Sequence, residues 1–159
     1  MMKIKHVRVT PIAFRDAPLL NASGIHEPYA LRSIIEVESD NGFIGLGESY
    51  GDAPVLSVLQ AMQESLVGLD PFDLNGLRAR VVKTVAALKP GNAGAELAPG
   101  SHPSKQVANA YSAFEVAFLD LQARSLGMPL VDLLGGAVRD EVPFLSLIHI
   151  SEPTRLRRI

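Results

Sequence analysis

The sequence predicts an α+β fold in which a three-stranded antiparallel meander is followed by a bundle of helices. Segments rich in β-branched residues fill the first third of the chain, and apolar residues recur every three or four positions in the remainder. A strong hairpin signal, Asp40-Asn41-Gly42, separates two of the strand segments. Strands gathered before helices are typical of α+β domains, in which a sheet packs against a helical layer.

The first fifty residues contain three predicted strands. Residues 2–14 are rich in Ile and Val, and residues 31–38 alternate apolar and polar side chains, with Ile34 as the exception. Residues 43–50 return after the turn as the third strand. Because strands joined by a short turn pair antiparallel, the segments form a meander with a long connection, residues 16–29, between the first two strands.

Two glycines stand inside the third predicted strand. Gly45 and Gly47 remove side chains from one face of that strand. Glycine in a strand interior marks either a bend or a place where another backbone approaches closely. The sequence leaves both alternatives open.

Two helices are predicted after the strands. The first covers residues 54–67. The second begins near Asp70, which we expect to cap it, with Pro71 in the first turn and Asp73 near the positive end of the helix dipole. Apolar stripes predict their buried faces: Val55, Val58, Leu59, Met62 and Leu66 in the first helix, and Leu74, Leu77, Val81, Val82, Val85 and Leu88 in the second.

The longest predicted helix covers residues 104–126, and we expect the rest of the domain to pack against it. Gly127 can supply the left-handed residue that ends this helix, and Pro129 prevents its continuation. A short helix at residues 129–134 follows and ends at Gly135-Gly136. The stripe of the long helix consists of Val107, Ala110, Tyr111, Phe114, Phe118 and Leu121.

Composition restricts the classes of protein and partner. The chain has 159 residues, of which 47% are hydrophobic and 20% charged, which suits one globular domain with a core. Its net charge of −2 without a basic patch argues against nucleic acid as a partner, and no apolar run approaches the roughly 18 residues of a membrane span. The absence of cysteine excludes disulfides, thiolate metal sites and cysteine nucleophiles. We therefore expect a cytoplasmic protein.

No complete catalytic constellation is evident in the sequence. Five carboxylates follow the predicted hairpin, as is common on solvated strand faces: Glu36, Glu38, Asp40, Glu48 and Asp52. Residues 16–29 are a better candidate, because Asn21, Ser23 and His26 offer hydrogen-bonding groups on a Gly-containing segment. Composition alone nevertheless favours a turn-rich connection with a surface His. Residues 89–103 form a second loop, of a length that is often functional.

Two sets of motifs carry a family resemblance that extends over residues 2–144. The first set resembles the mandelate racemase and muconate-lactonizing branch of the enolase superfamily, in the segment that joins the N-terminal cap to the barrel. It consists of Phe114-Glu115-Val116-Ala117, Asp120, Gly127-Met128-Pro129 and Leu133-Leu134-Gly135-Gly136-Ala137-Val138-Arg139. The glucarate dehydratases within that branch are similar at Leu19-Leu20-Asn21, Gly24, His26, Pro28-Tyr29, Arg32, Gly45-Leu46-Gly47-Glu48 and Tyr50-Gly51.

The resemblance implies a capping domain that is followed, in the family, by a (β/α)₇β barrel absent from this chain. Barrel carboxylates of the family hold Mg²⁺, and a barrel Lys or a His–Asp dyad removes the proton α to a substrate carboxylate. A dehydratase then expels the β-hydroxyl group, which converts glucarate to a keto-deoxy-glucarate. All of these catalytic and metal-binding groups are expected to lie in the barrel.

The cap of the family closes over the open end of the barrel, excludes water and grips the distal end of the substrate. By resemblance, His26 would contact the hydroxyls or the distal carboxylate of an anionic sugar acid, and Asn21 would assist. Ser101 would stand where the family has a substrate-contacting Thr. We therefore expect substrate-binding residues, but no catalytic residue and no metal ligand, in this chain.

The resemblance also divides the chain. Residues 1–134 correspond to the capping domain and residues 135–144 to the linker to the barrel. Glu115 and Asp120 are expected to be structural, capping or pairing with groups at the seam between cap and barrel. Arg139 is expected to order the linker.

The last fifteen residues differ from the rest of the chain. Residues 145–155, LSLIHISEPTR, match the translation of a sequencing-library adapter without a mismatch. We therefore interpret residues 145–159 as an artefact and expect the natural protein to continue beyond Phe144. The alternative is a genuine strand at residues 144–150 followed by a basic tail.

The resulting hypothesis is the N-terminal fragment of a Mg²⁺-dependent acid-sugar dehydratase that acts on glucarate in carbohydrate acid catabolism and forms a homo-oligomer at full length. The fragment itself is expected to be inactive and to bind no Mg²⁺ specifically. One alternative is another acid-sugar dehydratase or racemase of the same superfamily. Another is a freestanding α+β module for interaction or oligomerisation.

Overall fold

The computed structural model describes residues 1–15, 29–88 and 103–143, and it confirms the predicted meander followed by helices. Three strands and four helices follow one another in the described residues: β1 (Ile4–Arg15), β2 (Tyr29–Ser39), β3 (Ile44–Tyr50), α1 (Ala53–Ser65), α2 (Leu74–Ala87), α3 (Pro103–Leu126) and α4 (Leu130–Leu133). None of these helices combines the length and the apolar character that crossing a lipid bilayer requires.

The sheet is antiparallel, with the strands in the order β1-β2-β3. Gly42 has a φ of 86° in the turn between β2 and β3, a conformation that glycine adopts without strain. One face of the sheet is buried under the helices. The other face carries three cross-strand ion pairs: Lys5–Glu38 at 2.8 Å, Arg8–Glu36 at 3.4 Å and Arg32–Glu48 at 3.1 Å. The predicted solvated face of the hairpin is therefore observed for three of the five carboxylates.

Helix α3 lies at the centre of the domain and contacts β2, β3 and the other three helices. Gly127, with a φ of 65°, ends it as predicted. The close approach predicted from the glycines of β3 is confirmed, because a Cβ atom on Gly45 or Gly47 would collide with the backbone of α3. The buried residues of α3 are Ala110, Ala113, Phe114, Ala117, Phe118, Leu121, Gln122 and Ala123.

Helix side chains occupy part of each edge of the sheet. The Val9 N–H on β1 donates a hydrogen bond of 2.9 Å to the side-chain oxygen of Gln63 on α1. At the opposite edge, the Leu46 N–H donates a hydrogen bond of 2.9 Å to Asp120 on α3. Since unpaired strand edges invite association with other chains, these bonds reduce the exposed edge and fix the helices to the sheet.

Three details of the sequence prediction are wrong. Helix α2 is capped by Asp73, whose carboxylate accepts from Gly76 N–H at 2.8 Å, whereas Asp70 accepts from Phe72 N–H at 2.9 Å in the preceding turn. The buried stripe predicted for α2 is too wide: Val82 and Leu88 are exposed, because the buried side is already filled by Leu77, Val81 and Val85. Leu31 is exposed as well, because it lies beyond the last residue of β3.

A hydrogen bond from Tyr111 to Glu115 allows a test of the packing of α3. The hydroxyl donates to the carboxylate at 2.9 Å, and partial burial together with this bond raises the pKa of Tyr111. We expect Tyr111→Phe to lower the free energy of unfolding by about 1 kcal/mol at pH 7. Because the pKa of Tyr111 is raised in the folded state, its contribution to the free energy of unfolding is complete below pH ~10 and is lost at higher pH. Above that pH, the difference in the free energy of unfolding between Tyr111→Phe and the parent should therefore become smaller. Urea unfolding at pH 7 and above pH 10 measures both effects, and a constant difference would contradict the second.

Candidate functional site

The three predicted substrate-binding residues, Asn21, His26 and Ser101, lie outside the described residues. The described residues that flank them are nevertheless informative. Arg15 pairs with Tyr29 across β1 and β2, so both ends of the connection that contains Asn21 and His26 meet at one end of the sheet.

The start of α3, just after Ser101 in sequence, lies at this same end. Gly45 packs against Ala117 and Leu121, whereas Gly47 packs against Ala113 and Ala117. Helix α3 therefore runs antiparallel to β3, and its first residues lie beside the last residues of β3. The register of the sheet places that end of β3 next to Arg32 and hence near the pair Arg15–Tyr29. The described residues that flank the two predicted binding segments, Arg15 and Tyr29 for the first and the start of α3 for the second, therefore lie at the same end of the domain.

A cleft of about 270 Å³ opens at this end of the domain, between the edge of β3 and the first turns of α3. Polar and apolar atoms contribute about equally to its lining, which consists of Arg32, Glu48, Ser49, Tyr50, Asn109 and Ser112. Such a lining can donate several hydrogen bonds to a small acceptor-rich molecule.

Among the described residues that line the cleft, Arg32 is the only cation, and three groups contact it. Its Nε lies 3.1 Å from the Glu48 carboxylate, and its guanidinium lies 5.5 Å from the centroid of the Tyr50 ring. One Nη1 N–H donates to the carbonyl oxygen of Leu31 at 3.0 Å. The N–H of Gly51 donates a hydrogen bond of 3.2 Å to the same carbonyl oxygen of Leu31.

Arg32 and Tyr50 both belong to the family motif, but their contact was not predicted from the sequence, and neither was a role for Asn109 or Ser112. The sequence did contain a signal for the contact between Arg32 and Tyr50. The turn fixes the pairing of β2 with β3, and pairing Ser39 with Phe43 also pairs Arg32 with Tyr50.

Of the residues expected to be structural, Asp120 bonds to β3 and also pairs with Arg124 at 2.8 Å, and Glu115 accepts from Tyr111. Arg139 is exposed. These contacts of Asp120 and Glu115 lie within the domain itself.

The described residues do not fit a metal site. No group of three or more His, Cys, Asp or Glu side chains within residues 1–15, 29–88 and 103–143 could hold a metal ion. No chemical step is therefore assigned to a metal bound by these residues.

Comparison with known proteins identifies the family. Residues 5–135 match the model of the mandelate racemase / muconate lactonizing enzyme N-terminal domain. The chain belongs to this family. The resemblance inferred from the linker motifs is therefore confirmed, and the meander with its helices is the N-terminal capping domain of an enolase-superfamily protein.

Relatives of this capping domain include enzymes and crystal structures. A probable glucarate dehydratase from Streptomyces coelicolor is 39% identical over 90% of this chain and 34% of its own length. An enolase from Pseudomonas fluorescens Pf0-1, crystallised with magnesium, potassium and tartrate, is 77% identical with a TM-score of 0.85, over 91% of this chain and 34% of that one. An enolase from Thermobispora bispora, complexed with magnesium and formate, is 47% identical with a TM-score of 0.81, over 92% of this chain and 34% of that one.

The chain thus spans about a third of the length of the relatives that it matches. Other curated relatives, matched at lower identity, include further sugar-acid dehydratases and a dipeptide epimerase. These homologues are themselves enolase-superfamily dehydratases and an epimerase.

Proposed function

We propose that this capping domain belongs to an acid-sugar dehydratase whose substrate is glucarate. The observation that carries the proposal is the 39% identity to a probable glucarate dehydratase over 90% of this chain. The tartrate in the P. fluorescens relative supports the same class of ligand, because tartrate is a hydroxylated dicarboxylate as glucarate is. The proposed reaction removes the proton α to one carboxylate and then eliminates water from the neighbouring carbon.

Within the proposed enzyme, residues 1–134 form the cap and residues 135–144 the linker to a (β/α)₇β barrel, whereas residues 145–159 derive from an adapter. Exposed apolar side chains support this division. Val131, Leu134 and Val138, in and after α4, expose large apolar surfaces that a barrel would cover.

The proposed roles in the cap concern substrate binding. His26 and Asn21 bind the distal hydroxyls or carboxylate, and Ser101 donates a further hydrogen bond. The convergence of the flanking residues Arg15, Tyr29 and Pro103 at one end of the domain supports a common site. Magnesium, which the P. fluorescens and T. bispora relatives contain, would be held by residues outside the described part of this chain.

The test begins with the gene. Sequencing the source locus beyond the Phe144 codon should reveal an open frame with a Lys-x-Lys strand and spaced Asp and Glu ligands. The complete protein is expected to convert glucarate to a keto-deoxy-glucarate and to lose this activity with EDTA. The 159-residue chain is expected to be inactive.

We expect His26→Ala in the complete protein to lower kcat/KM for glucarate about 100-fold, because one charge-assisted hydrogen bond to the substrate is lost. Steady-state kinetics at saturating Mg²⁺ measures this effect. His6→Ala is the matched control, since His6 lies exposed on the outer face of the sheet. A frame that ends naturally at Ile159 would contradict the dehydratase proposal and favour an interaction module, whereas racemisation of an acid sugar would favour the other enzyme class.

A further inference from the structure

We propose that the cleft between β3 and α3 is a binding subsite for a hydroxylated carboxylate, with Arg32 as its anion-binding residue. The class of ligand rests on the proposed function. The site itself is defined by contacts of the described residues alone.

Arg32 has hydrogen-bond donors to spare. A guanidinium carries five N–H groups; one N–H of Nη1 donates to Leu31, and Nε forms the ion pair with Glu48. Among the described residues, the other three N–H groups have no acceptor and are available to a ligand. The Tyr50 ring under the guanidinium and the bond to Leu31 restrict the side chain, so little conformational freedom is lost on binding.

The main chain of β3 supplies further hydrogen-bond donors at the open edge of the sheet. Since the Leu46 N–H points to Asp120 and not to β2, the N–H groups of Glu48 and Tyr50 also point away from β2, towards the open edge. Asp120 satisfies only Leu46. Among the described residues none accepts a hydrogen bond from the other two N–H groups, which lie on residues that line the cleft.

The size and chemistry of the cleft suit a small ligand. The residues that border this volume of about 270 Å³ include Arg32 with its guanidinium, Asn109 with its amide, and Ser49 and Ser112 with their hydroxyls. The volume is near the lower limit of small-molecule sites and suits a ligand of several carbons with many oxygen atoms. Two free strand residues are too few for stable pairing with another strand, which favours a small ligand over a peptide.

The negative charge of Glu48 predicts an unusual direction for the effect of a substitution on ligand affinity. Glu48 lines the same cleft, and its carboxylate pairs with Arg32, so this negative charge opposes an anionic ligand. The side chain of Glu48 is 60% exposed, whereas that of Arg32 is 35% exposed, so Glu48 can turn into solvent when an anion enters. Removal of the negative charge should therefore strengthen binding, an effect that a purely structural ion pair would not produce.

The experiment is an NMR titration of the ¹⁵N-labelled 159-residue chain with D-glucarate, with neutral D-glucitol as the comparison ligand. We expect saturable shifts of the amides that line the cleft, with a Kd on the order of millimolar for so small a ligand, and no saturation with glucitol. Arg32→Gln should weaken binding about tenfold or more, and Glu48→Gln should tighten it severalfold. Arg8→Gln and Glu36→Gln are matched controls from the neighbouring ion pair and should leave the Kd unchanged.

Equal binding of glucitol, weaker binding by Glu48→Gln, or shifts confined to residues outside the cleft would overturn the proposal. Should Arg32→Gln fail to fold, the Glu48→Gln result decides, because that substitution preserves shape. If the complete enzyme dehydrates glucarate while the cleft shows no saturable binding, only the subsite proposal fails. If the cleft binds glucarate and the complete enzyme leaves glucarate unchanged, the proposed function fails and the subsite remains.

Discussion

Replacement of Gly45 with alanine is expected to lower the free energy of unfolding by about 3–5 kcal/mol. A Cβ atom at this position would collide with the carbonyl oxygen of Ala117 and lie 2.7 Å from the Cβ atom and the backbone nitrogen of Leu121. These atoms are fixed to the backbone of α3 and cannot rotate away, so β3 and α3 must separate. Domains of this size are stabilised by about 5–15 kcal/mol, and the substitution removes a large part of that.

The direction in which Gly45→Ala changes the free energy of unfolding identifies the cause of the change. In a strand interior without a close neighbour, alanine would stabilise relative to glycine by about 0.5–1 kcal/mol. Gly47→Ala tests the contact a second time, because its Cβ atom would lie 2.5 Å from the Ala113 carbonyl oxygen. Leu46→Ala is the control, since Leu46 lies between the two glycines and its side chain is exposed. Urea unfolding followed by circular dichroism compares the three variants, and a midpoint for Gly45→Ala at or above that of the parent would contradict the prediction.

The order and type of the elements follow from local chemistry, which is why the sequence predicted them. A turn of Asp40-Asn41-Gly42 specifies a hairpin without help from the rest of the chain, and Gly127 ends α3 through its own φ. The glycines of β3 raised two alternatives, a bend or a close approach. Only the position of α3 decides between them, because the sequence does not state which element crosses which strand.

The errors arise where burial depends on how far one element extends over another. Alternation assigns Leu31 to the inner face correctly, but β3 ends opposite Arg32, so Leu31 extends past the covered part of the sheet. Val82 is apolar, yet a helix packed on one side buries only one stripe, and Val81 already occupies that stripe. Asp70 and Asp73 both have capping chemistry, and the choice between them depends on where the backbone becomes helical.

Only part of the candidate cleft could be predicted from the sequence. The pairing of Arg32 with Tyr50 follows from the turn, so the side of the cleft formed by the sheet was predictable. Asn109 and Ser112 come from a helix about sixty residues later, and their approach to β3 depends on the orientation of α3. Neither residue is unusual in an exposed helix face, and no local pattern distinguishes them.

The second large effect is expected for Phe118→Ala, which should lower the free energy of unfolding by about 3–5 kcal/mol. The side chain of Phe118 has 0% exposure and lies in the core formed by the inner face of the sheet and helices α1 to α3. Truncation loses the transfer free energy of the ring and leaves a cavity. The layers cannot collapse into this cavity, because the contacts of Gly45 and Gly47 already hold α3 against β3 at minimal distance.

Phe72→Ala provides the matched control, because it makes the same chemical change at a side chain that is 50% exposed in the turn before α2. We expect it to cost less than about 1 kcal/mol, since little apolar surface returns to water. Equal losses for the two variants would show that α3 is not the centre of the core. A loss confined to Phe118 supports α3 as the centre of the core. This packing also holds Asn109 and Ser112, in the N-terminal half of α3, beside the end of β3, where the cleft lies.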